Sequence, residues 1–258
     1  MGDSWIVRIV PMLVVSLLVW SSARIVVLAQ ATDPSATVHA SFGTAGDVRL
    51  SLANVSGRIV VTPSNGDVVD VRAVKHAAND ESLAGIRVTI DKDGSPVNDV
   101  QIRTHYMRDG HGGSVDYTLM VPRHAVLRLT NVTGNIVASG FANDVTLNDV
   151  SGNVSAENTD GNVKARTVNG AILVSVTRFP DSRTVSLRTV SGAISLTVPH
   201  DAGAVVKARS MSGGFQSDFP LDVKSEMIGS QVNGRIGNGG GWIDLESVSG
   251  MLELKSGR

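Results

Sequence analysis

Residues 132–174 read VTGNIVASG FANDVTLND VSGNVSAEN TDGNVKART VNGAILV when they are divided into blocks of nine. The first, fifth and seventh positions of each block are apolar, with Thr159 as the one partial exception. The third position is Gly or Asn143, and the fourth is mostly Asn or Asp, which are the residues that enter positive φ at the lowest cost. The pattern predicts one short strand and one tight turn per block.

A single strand and turn of this length cannot bury its apolar face alone, so the units must stack. Two units per coil predict an 18-residue rung with two opposed sheets, in which neighbouring strands are 18 residues apart. The fifth positions then form two inward ladders that face each other, at a spacing of about 4.8 Å. They are Ile136, Val154 and Ile172 in one sheet, and Val145 and Val163 in the other.

Related motifs follow the strict repeat at wider spacing. Gly192, Gly213, Gly234 and Gly250 stand in Val-Ser-Gly or similar motifs, with gaps of 21, 21 and 16 residues. These gaps predict longer rungs or inserted loops in residues 171–258. The spacing leaves open whether this part pairs in parallel or antiparallel.

The part of the chain before the repeat shows period-two alternation with turn residues between the segments. Asp93-Gly94 and Asn65-Gly66 are predicted as hairpin turns with positive φ. Residues 77–84 and 107–113 are predicted as loops, and no segment after residue 31 has a convincing helical period. The predicted strands are 37–42, 47–52, 67–72, 86–90, 100–103 and 117–121.

The N-terminus has the features of an export signal. Arg8 precedes an uncharged apolar run over residues 9–23, and Ala29-Gln30-Ala31 matches a signal-peptidase site. We predict a signal peptide over residues 1–31, with an uncleaved membrane anchor over residues 9–31 as the alternative. Either interpretation predicts an extracytoplasmic domain, which is periplasmic, secreted or on the cell surface.

These patterns predict an all-β fold in which an irregular β-strand N-terminal part, residues 32–121, continues into a β-helix-like or β-solenoid-like repeat over residues 122–258. With 23 basic and 24 acidic residues, the net charge of -1 gives no electrostatic reason to expect a nucleic-acid partner. The absence of cysteine from the sequence excludes disulfides, thiolate zinc sites, cysteine nucleophiles and a cysteine-linked lipid anchor.

The ordered combination of motifs resembles a known family. Repeated Val-Ser-Gly-x-Ile, the run MSGGFQSDFP over residues 211–220, and GRIGNG over residues 234–239 before another apolar strand are similar to the bacterial putative-adhesin domain family of unknown function. The resemblance covers residues 37–256. It implies an all-β domain with a β-helix-like C-terminal half in exported or envelope-associated proteins, and it carries no catalytic signature.

An exported β-solenoid could also be a polysaccharide lyase or hydrolase, which needs paired carboxylates on one face. Among the outward positions six and eight, Glu157 is the only carboxylate, and Asp144, Asp149 and Asp160 fall at turns where bonding to the local backbone explains them. The outward residues are Val137, Ser155, Leu173, Thr146, Lys164, Ser139, Glu157, Ser175, Asn148 and Arg166.

Three other stretches contain residue types that could form a site. His105, Asp109 and His111 could bind zinc or copper but lack a third or fourth convergent ligand nearby in sequence, so a solvated loop is favoured. Asp91-Lys-Asp93-Gly94 lacks the distal Glu of a calcium loop, and the Gly-rich run over residues 237–241 lacks the Lys-Ser/Thr of a phosphate cradle. We therefore predict no catalytic, cofactor-binding or metal-binding residue, and no cofactor.

The leading hypothesis is a non-catalytic adhesin or cell-envelope module whose partner is an envelope or surface ligand, either a glycan or a protein. The alternative is a carbohydrate-active enzyme whose groups come from Asp109 and His111 or from residues 178–183. A third hypothesis is self-association through exposed solenoid ends.

Overall fold

A computed structural model describes residues 34–44, 47–107, 112–221, 223–225 and 230–257. The predicted signal peptide lies outside these residues, and so do Asp109 and His111 of the loop that was considered as a metal site. Within the described ranges, no helix is both long enough and apolar enough to cross a membrane.

The N-terminal part contains seven strands and one short helix. All six predicted strands are found, and β3 was missed because it contains Pro63 and an unbroken apolar start rather than regular alternation. Residues 77–84 are predicted as a loop, but part of this stretch forms the helix, so the prediction is wrong there. Asn79 caps the helix by accepting a hydrogen bond from Ser82 N at 2.8 Å. The elements are β1 (Ser35–Gly43), β2 (Arg49–Ala53), β3 (Ile59–Ser64), β4 (Val68–Ala77), α1 (Asp80–Ala84), β5 (Ile86–Asp93), β6 (Asp99–Tyr106) and β7 (Gly113–Pro122).

Only one of the two predicted hairpin turns joins paired strands. Gly94, at φ 93°, lies between β5 and β6, which pair antiparallel. Gly66 also has a positive φ, 97°, but β3 and β4 are not neighbours because β7 lies between them. Asn65-Gly66 is therefore a turn between two strands of the same sheet that do not pair, and the hairpin prediction is wrong there.

The strict repeat forms the predicted rungs. Val154 pairs with Ile136 and Ile172, and Val145 pairs with Val163, all in parallel and 18 residues apart. All five side chains are at most 1% exposed, so both inward ladders are confirmed. The strands are β8 (Val126–Thr130), β9 (Ile136–Ser139), β10 (Val145–Asn148), β11 (Val154–Thr159), β12 (Val163–Arg166) and β13 (Ile172–Val176).

The C-terminal part mixes both pairing directions. The parallel stack continues through β14, β15, β20 and β21, and β16 and β17 pair in parallel at its end. On its other side, β16 pairs antiparallel with β19, which in turn pairs antiparallel with β18. Gly234 lies inside β19 rather than at a turn, unlike the other repeat glycines. The strands are β14 (Thr184–Ser191), β15 (Ile194–Pro199), β16 (Ala204–Ser212), β17 (Phe215–Ser217), β18 (Val223–Ser225), β19 (Ser230–Ile236), β20 (Gly241–Ser249) and β21 (Leu252–Gly257).

The described strands form two sheets whose inner faces enclose one apolar core. In both, the order departs from the chain order near each end, so that the β2–β3 rung lies between β6–β7 and β8–β9, and the β20–β21 rung lies between β14–β15 and β16–β17. Sheet 1 has the order β1-β4-β7-β3-β9-β11-β13-β15-β21-β17, and sheet 2 has the order β18-β19-β16-β20-β14-β12-β10-β8-β2-β6-β5. This confirms an all-β, solenoid-like fold.

A column of stacked glycines shows why the Val-Ser-Gly turn recurs. At each glycine of the column, a Cβ atom would overlap the carbonyl group of a residue in the adjacent rung. Adjacent rungs can therefore approach to hydrogen-bonding distance only if these positions carry no side chain. The column continues across the rearranged C-terminal rungs. Its members, in spatial order, are Gly57, Gly134, Gly152, Gly170, Gly192, Gly250 and Gly213.

Candidate functional site

One edge of the stack, where the chain passes from sheet 2 to sheet 1, exposes a continuous row of apolar side chains. Isolated parallel bridges join Ser56, Thr133, Ser151, Asn169 and Ser191, so the turns of successive rungs are hydrogen-bonded to one another. Ser249 and Ser212 continue this series in the next two rungs, and the residue before each of the seven positions points outward. We call this row the apolar ridge; its members are 40–50% exposed and are Val55, Val132, Val150, Val168, Val190, Val248 and Met211.

The ridge is not predicted from the sequence, because the residues at position one of the repeat are nearly all apolar and no difference in their exposure is expected. In the structure their environment alternates, since Val132, Val150 and Val168 are exposed, whereas Phe141 and Thr159 on the opposite edge are fully buried. The signal was present, because Val recurs at this position every 18 residues with a different residue type between.

A buried row of polar side chains lies directly before the ridge in sequence. Thr167 Oγ1 donates to the carbonyl of Gly152 at 3.2 Å, and Thr189 Oγ1 donates to that of Gly170 at 3.1 Å. Asn131, Ser210 and Ser247 make the equivalent contact, and Asp149 does not, so the row fastens most of the turns to the adjacent rung. We call this row the polar ladder; it comprises Asn54, Asn131, Asp149, Thr167, Thr189, Ser247 and Ser210, none more than 5% exposed.

A cavity lies on the opposite edge, beneath the loop that contains residues 178–183. Its volume is about 550 Å³, and the rung it interrupts is lengthened, since Val163 pairs with Val185 rather than with a residue 18 positions on. Residues 178–183 are one of the two regions from which the enzyme alternative would take its groups. The lining residues are Ala142, Asp160, Thr177, Arg178, Phe179, Pro180, Pro199, Asp201 and Ala202.

Asp160 is the most buried carboxylate of this cavity, with a side chain 8% exposed. Burial alone would raise its pKa, but hydrogen bonds from Thr177, Arg178 and Arg123 outweigh that effect and lower the pKa to about 2. The arginines lie at 3.2 Å and 3.0 Å from Oδ2. A carboxylate that is ionised and already bound by three side chains is not suited to act as a general acid at neutral pH.

Arg183 ties the loop to the rung below it. The residue is 2% exposed, and its guanidinium donates to the carbonyls of Thr159 at 3.0 Å, Asp160 at 2.7 Å and Arg178 at 2.7 Å. Burial lowers its pKa to about 10, partly opposed by the charge of Asp160, and leaves it cationic at neutral pH. These contacts give Asp160 and Arg183 a structural role in holding the cavity open.

The other candidate residues are accounted for by local contacts. His105 Nε2 lies 3.4 Å from Thr89 Oγ1 in an exposed position on β6. Asp91 lies 3.8 Å from Arg103, and Asp93 accepts a hydrogen bond from Gly94 N at 2.8 Å within its own turn. In the part of the chain that the structure describes, no group of three or more His, Asp or Glu side chains is arranged to hold a metal ion.

Two of the three turn aspartates, Asp144 and Asp160, differ from the prediction that they bond to local backbone. Asp144 accepts from N of Asn162 at 3.1 Å and from its Nδ2 at 3.0 Å, which is a contact with the next rung. Asp160 binds side chains, as described above. Asp149 belongs to the polar ladder, and neither of its oxygens has a well-aligned hydrogen-bond partner among the described residues.

Comparison with known proteins supports this architecture. A family model described as Toastrack DUF4097 matches residues 123–255. A solved structure of a putative cell adhesion protein from Clostridium sporogenes has 11% identity and a TM-score of 0.50, over 86% of this chain and all of that one. A putative adhesin from Bacteroides fragilis has 10% identity and a TM-score of 0.36, over 86% and 97%. No curated protein matches the chain. At these identities the likeness to the Clostridium protein concerns the fold.

Proposed function

The chain belongs to the Toastrack DUF4097 family, a family of unknown function, and we propose that it is an exported, non-catalytic β-repeat domain that acts as an adhesin or cell-envelope interaction module. The observation that carries the proposal is the apolar ridge. Seven adjacent rungs each expose one apolar side chain at 40–50%, and contiguous exposed apolar surface is typical of interaction sites.

The ridge is held rigidly, which favours a binding role. The turns beneath it are cross-linked by backbone bonds, such as Ser151 N to the carbonyl of Val132 at 2.9 Å and Asn169 N to that of Val150 at 2.9 Å. The polar ladder fixes the same turns from the inside. Because little backbone freedom remains to be lost, a partner that binds the ridge meets a small ordering cost.

The ridge is also free of charge along most of its length. The second residue of each turn is Ser, Thr or Asn in every described rung, so no charged group interrupts the row at that position. An uncharged apolar row with a hydroxyl-rich border fits an extended protein or envelope surface. The predicted signal peptide supports an extracytoplasmic location for such a partner.

The non-catalytic part of the proposal is supported by the state of the cavity carboxylate. The 550 Å³ cavity is the one feature that favours the alternative, a carbohydrate-active enzyme. However, Asp160 is committed to Arg123, Arg178 and Thr177, and its pKa of about 2 leaves it without a proton to donate. A structural ion-pair cluster explains the same residues.

Adhesion measurements on a ridge variant test the proposal. We expect Val150→Ser/Val168→Ser to weaken binding of the full chain to cell envelopes of its source organism at least about tenfold. The matched control is Met120→Ser/Leu173→Ser, which removes two apolar side chains of similar exposure, 46% and 47%, from outside the ridge. Equal binding by both double variants, with unchanged thermal melts, would contradict a role for the ridge.

Depolymerisation assays test the non-catalytic assignment. The full chain is incubated with envelope and extracellular polysaccharides, beside an Arg178→Ala variant in which the cavity is altered. We expect no chain shortening by either protein. Reproducible turnover by the wild type that Arg178→Ala abolishes would establish the enzyme alternative.

A further inference from the structure

The outer face of sheet 2 concentrates positive charge, although the chain as a whole has a net charge of -1. Over β8, β10, β12, β14, β20 and β16, the outward charged side chains are six basic and two acidic. A surplus of one sign on one face of a near-neutral protein is a feature that attracts a ligand of opposite charge. The residues are Arg128, Lys164, Arg166, Arg188, Lys207 and Arg209, with Asp244 and Glu246.

The surplus is centred on a groove along β10, β12 and β14. Its volume is about 410 Å³. Arg166 is in register with Arg188 on the neighbouring strand, which places two guanidinium side chains on adjacent strands of one face. Hydroxyl and amide groups surround them. The polar lining residues are Asp144, Thr146, Asn162, Lys164, Arg166, Thr184, Ser186 and Arg188.

The acidic residues of this face do not neutralise the groove. Asp244 and Glu246 lie on β20, on the far side of Arg188, and bind it at 2.9 Å and 3.3 Å. Asp144 also lines the groove, where it accepts a hydrogen bond from Asn162. Among the described residues, neither Lys164 nor Arg166 lies within ion-pair distance of an acidic side chain. Two cations therefore remain without a counter-ion inside a polar groove.

An exposed tryptophan lies beside the groove. Trp242 is 44% exposed and is in register with Thr184, a lining residue. It also lines a smaller adjoining groove of about 150 Å³ that shares Arg188. An indole next to hydroxyl, amide and cationic groups provides an apolar platform for a sugar ring beside donors for its polar substituents.

We propose that this groove, a site separate from the apolar ridge, binds an acidic polysaccharide, a sugar chain bearing carboxylate or sulfate groups. The acidic groups pair with Lys164 and Arg166. Sugar hydroxyls bond to Thr146 and Ser186.

The composition of the groove favours this ligand over two other polyanions. A single indole differs from the repeated aromatic platforms of surfaces that bind single-stranded nucleic acid. An anionic membrane surface is engaged by basic residues together with apolar side chains that insert, yet the two apolar residues of the groove, Val145 and Val163, are each 1% exposed.

Two identical tripeptides on the same sheet provide a matched test. Lys164-Ala165-Arg166 lies in the groove, whereas Lys207-Ala208-Arg209 has Asp244 and Glu246 as its in-register neighbours. We expect Lys164→Ser/Arg166→Ser to raise the Kd of the full chain for polygalacturonate at least about tenfold. We expect Lys207→Ser/Arg209→Ser to change it less than about twofold, with equal melts for both variants. Dextran sulfate tests sulfate in place of carboxylate, and neutral dextran should not bind.

Several results would overturn the assignment. The first is failure of the wild type to bind either acidic polysaccharide, and the second is an equal loss of affinity in the two double variants. The third is binding of a single-stranded oligonucleotide or of anionic lipid vesicles that is as tight as polysaccharide binding and depends equally on Lys164 and Arg166. In a parallel measurement, polygalacturonate should change the tryptophan fluorescence of the wild type, and Trp242→Phe should abolish this change. A change that persists in this variant would place the ligand elsewhere.

The groove and the ridge can fail independently. Val150→Ser/Val168→Ser should leave polygalacturonate binding unchanged, because both valines lie at the edge between the sheets. Ridge-dependent envelope adhesion without polysaccharide binding would overturn the groove assignment alone. Polysaccharide binding that depends on the groove, without any ridge-dependent adhesion, would overturn the ridge proposal alone.

Discussion

Asp149 is the one acidic member of the polar ladder. The equivalent residues in the two adjacent rungs each donate a hydrogen bond to a glycine carbonyl. Asn131 Nδ2 donates to the carbonyl of Gly57 at 2.9 Å, and Thr167 Oγ1 donates in the same way one rung on. Ionised Asp149 cannot donate, and it is 5% exposed with neutral ladder neighbours on both sides. Burial raises its pKa to about 6, against a smaller opposing effect of the nearby Val150 amide. The protonated acid is therefore the form that suits the ladder.

Asp149→Asn should make the protein more stable than the wild type, by an amount that increases as the pH rises. The folded-state pKa of about 6 exceeds the unfolded value of 3.8, so the native state binds the extra proton and stability falls as the pH rises from about 4 through 6. Asparagine supplies a donor at every pH. We expect its advantage in unfolding free energy to grow by about 2 kcal/mol between pH 4.5 and 7.5, as measured by urea denaturation.

The reciprocal variant controls this expectation. Asn131→Asp places a second acid in the same ladder and should make the unfolding free energy fall more steeply with rising pH than in the wild type. If Asp149→Asn and the wild type show parallel pH profiles, then Asp149 is ionised in the native state across this range.

The strands of the repeat sort their side chains strictly by alternation. In β11, Val154 is 1% exposed between Ile136 and Ile172, whereas Ser155 faces outward and donates to Glu157 at 2.8 Å. In a parallel ladder, each inward residue is packed against those of two neighbouring rungs. A shift of one residue would therefore expose the whole ladder and bury the polar face.

Val154→Asp and Ser155→Asp compare the two faces of this strand directly. The first places an unpaired carboxylate in the core and should cost more than about 3 kcal/mol or prevent folding. The second adds a surface charge near Glu157 and should cost less than about 1 kcal/mol. Thermal melts rank the two variants, and the opposite order would show that the register is wrong.

The whole molecule is a stack of rungs whose ends are rearranged. At one end β4 pairs antiparallel with β7 and β5 with β6, and at the other β19 pairs antiparallel with β16. Antiparallel strands thus close both ends of sheet 2 and one end of sheet 1, whereas the three-residue β17, which pairs in parallel, forms the other edge of sheet 1. Self-association through the ends stays a prediction, which sedimentation over a range of concentrations tests, since a monomer at all concentrations would exclude it.

Removal of one complete rung should preserve the fold. After deletion of residues 132–149, Val154 can stack on Ile59 and Val163 on Leu127, which are the present neighbours of Ile136 and Val145. Stability in stacked repeats is roughly additive, so we expect a cooperative melt at a lower temperature. Deletion of residues 132–140 instead moves later strands to the opposite sheet and should abolish cooperative unfolding. Similar melts for both deletions would contradict the 18-residue rung.

Much of the central stack was predictable because it depends on short-range pattern. Alternation around Val154 shows which side chains face inward, and Gly152 marks a turn whose carbonyl contact excludes a Cβ atom. The candidate surfaces were less predictable. The ridge required knowledge of which position-one residues face solvent, and the basic groove required the lateral register that places Arg166 beside Arg188.

By itself, then, the sequence determined the strand period, the turn positions, the inward ladders and the 18-residue rung, because each follows from contacts between residues at a fixed separation. Only the tertiary structure decided the order of the rungs at both ends, the exposure of the ridge and the gathering of charge on sheet 2. The rungs β2–β3 and β20–β21 insert between others far away in the chain. The entropy cost of closing a loop changes only slowly with its length, so the connections permit several rung orders. Side-chain packing between the rungs then determines which order forms.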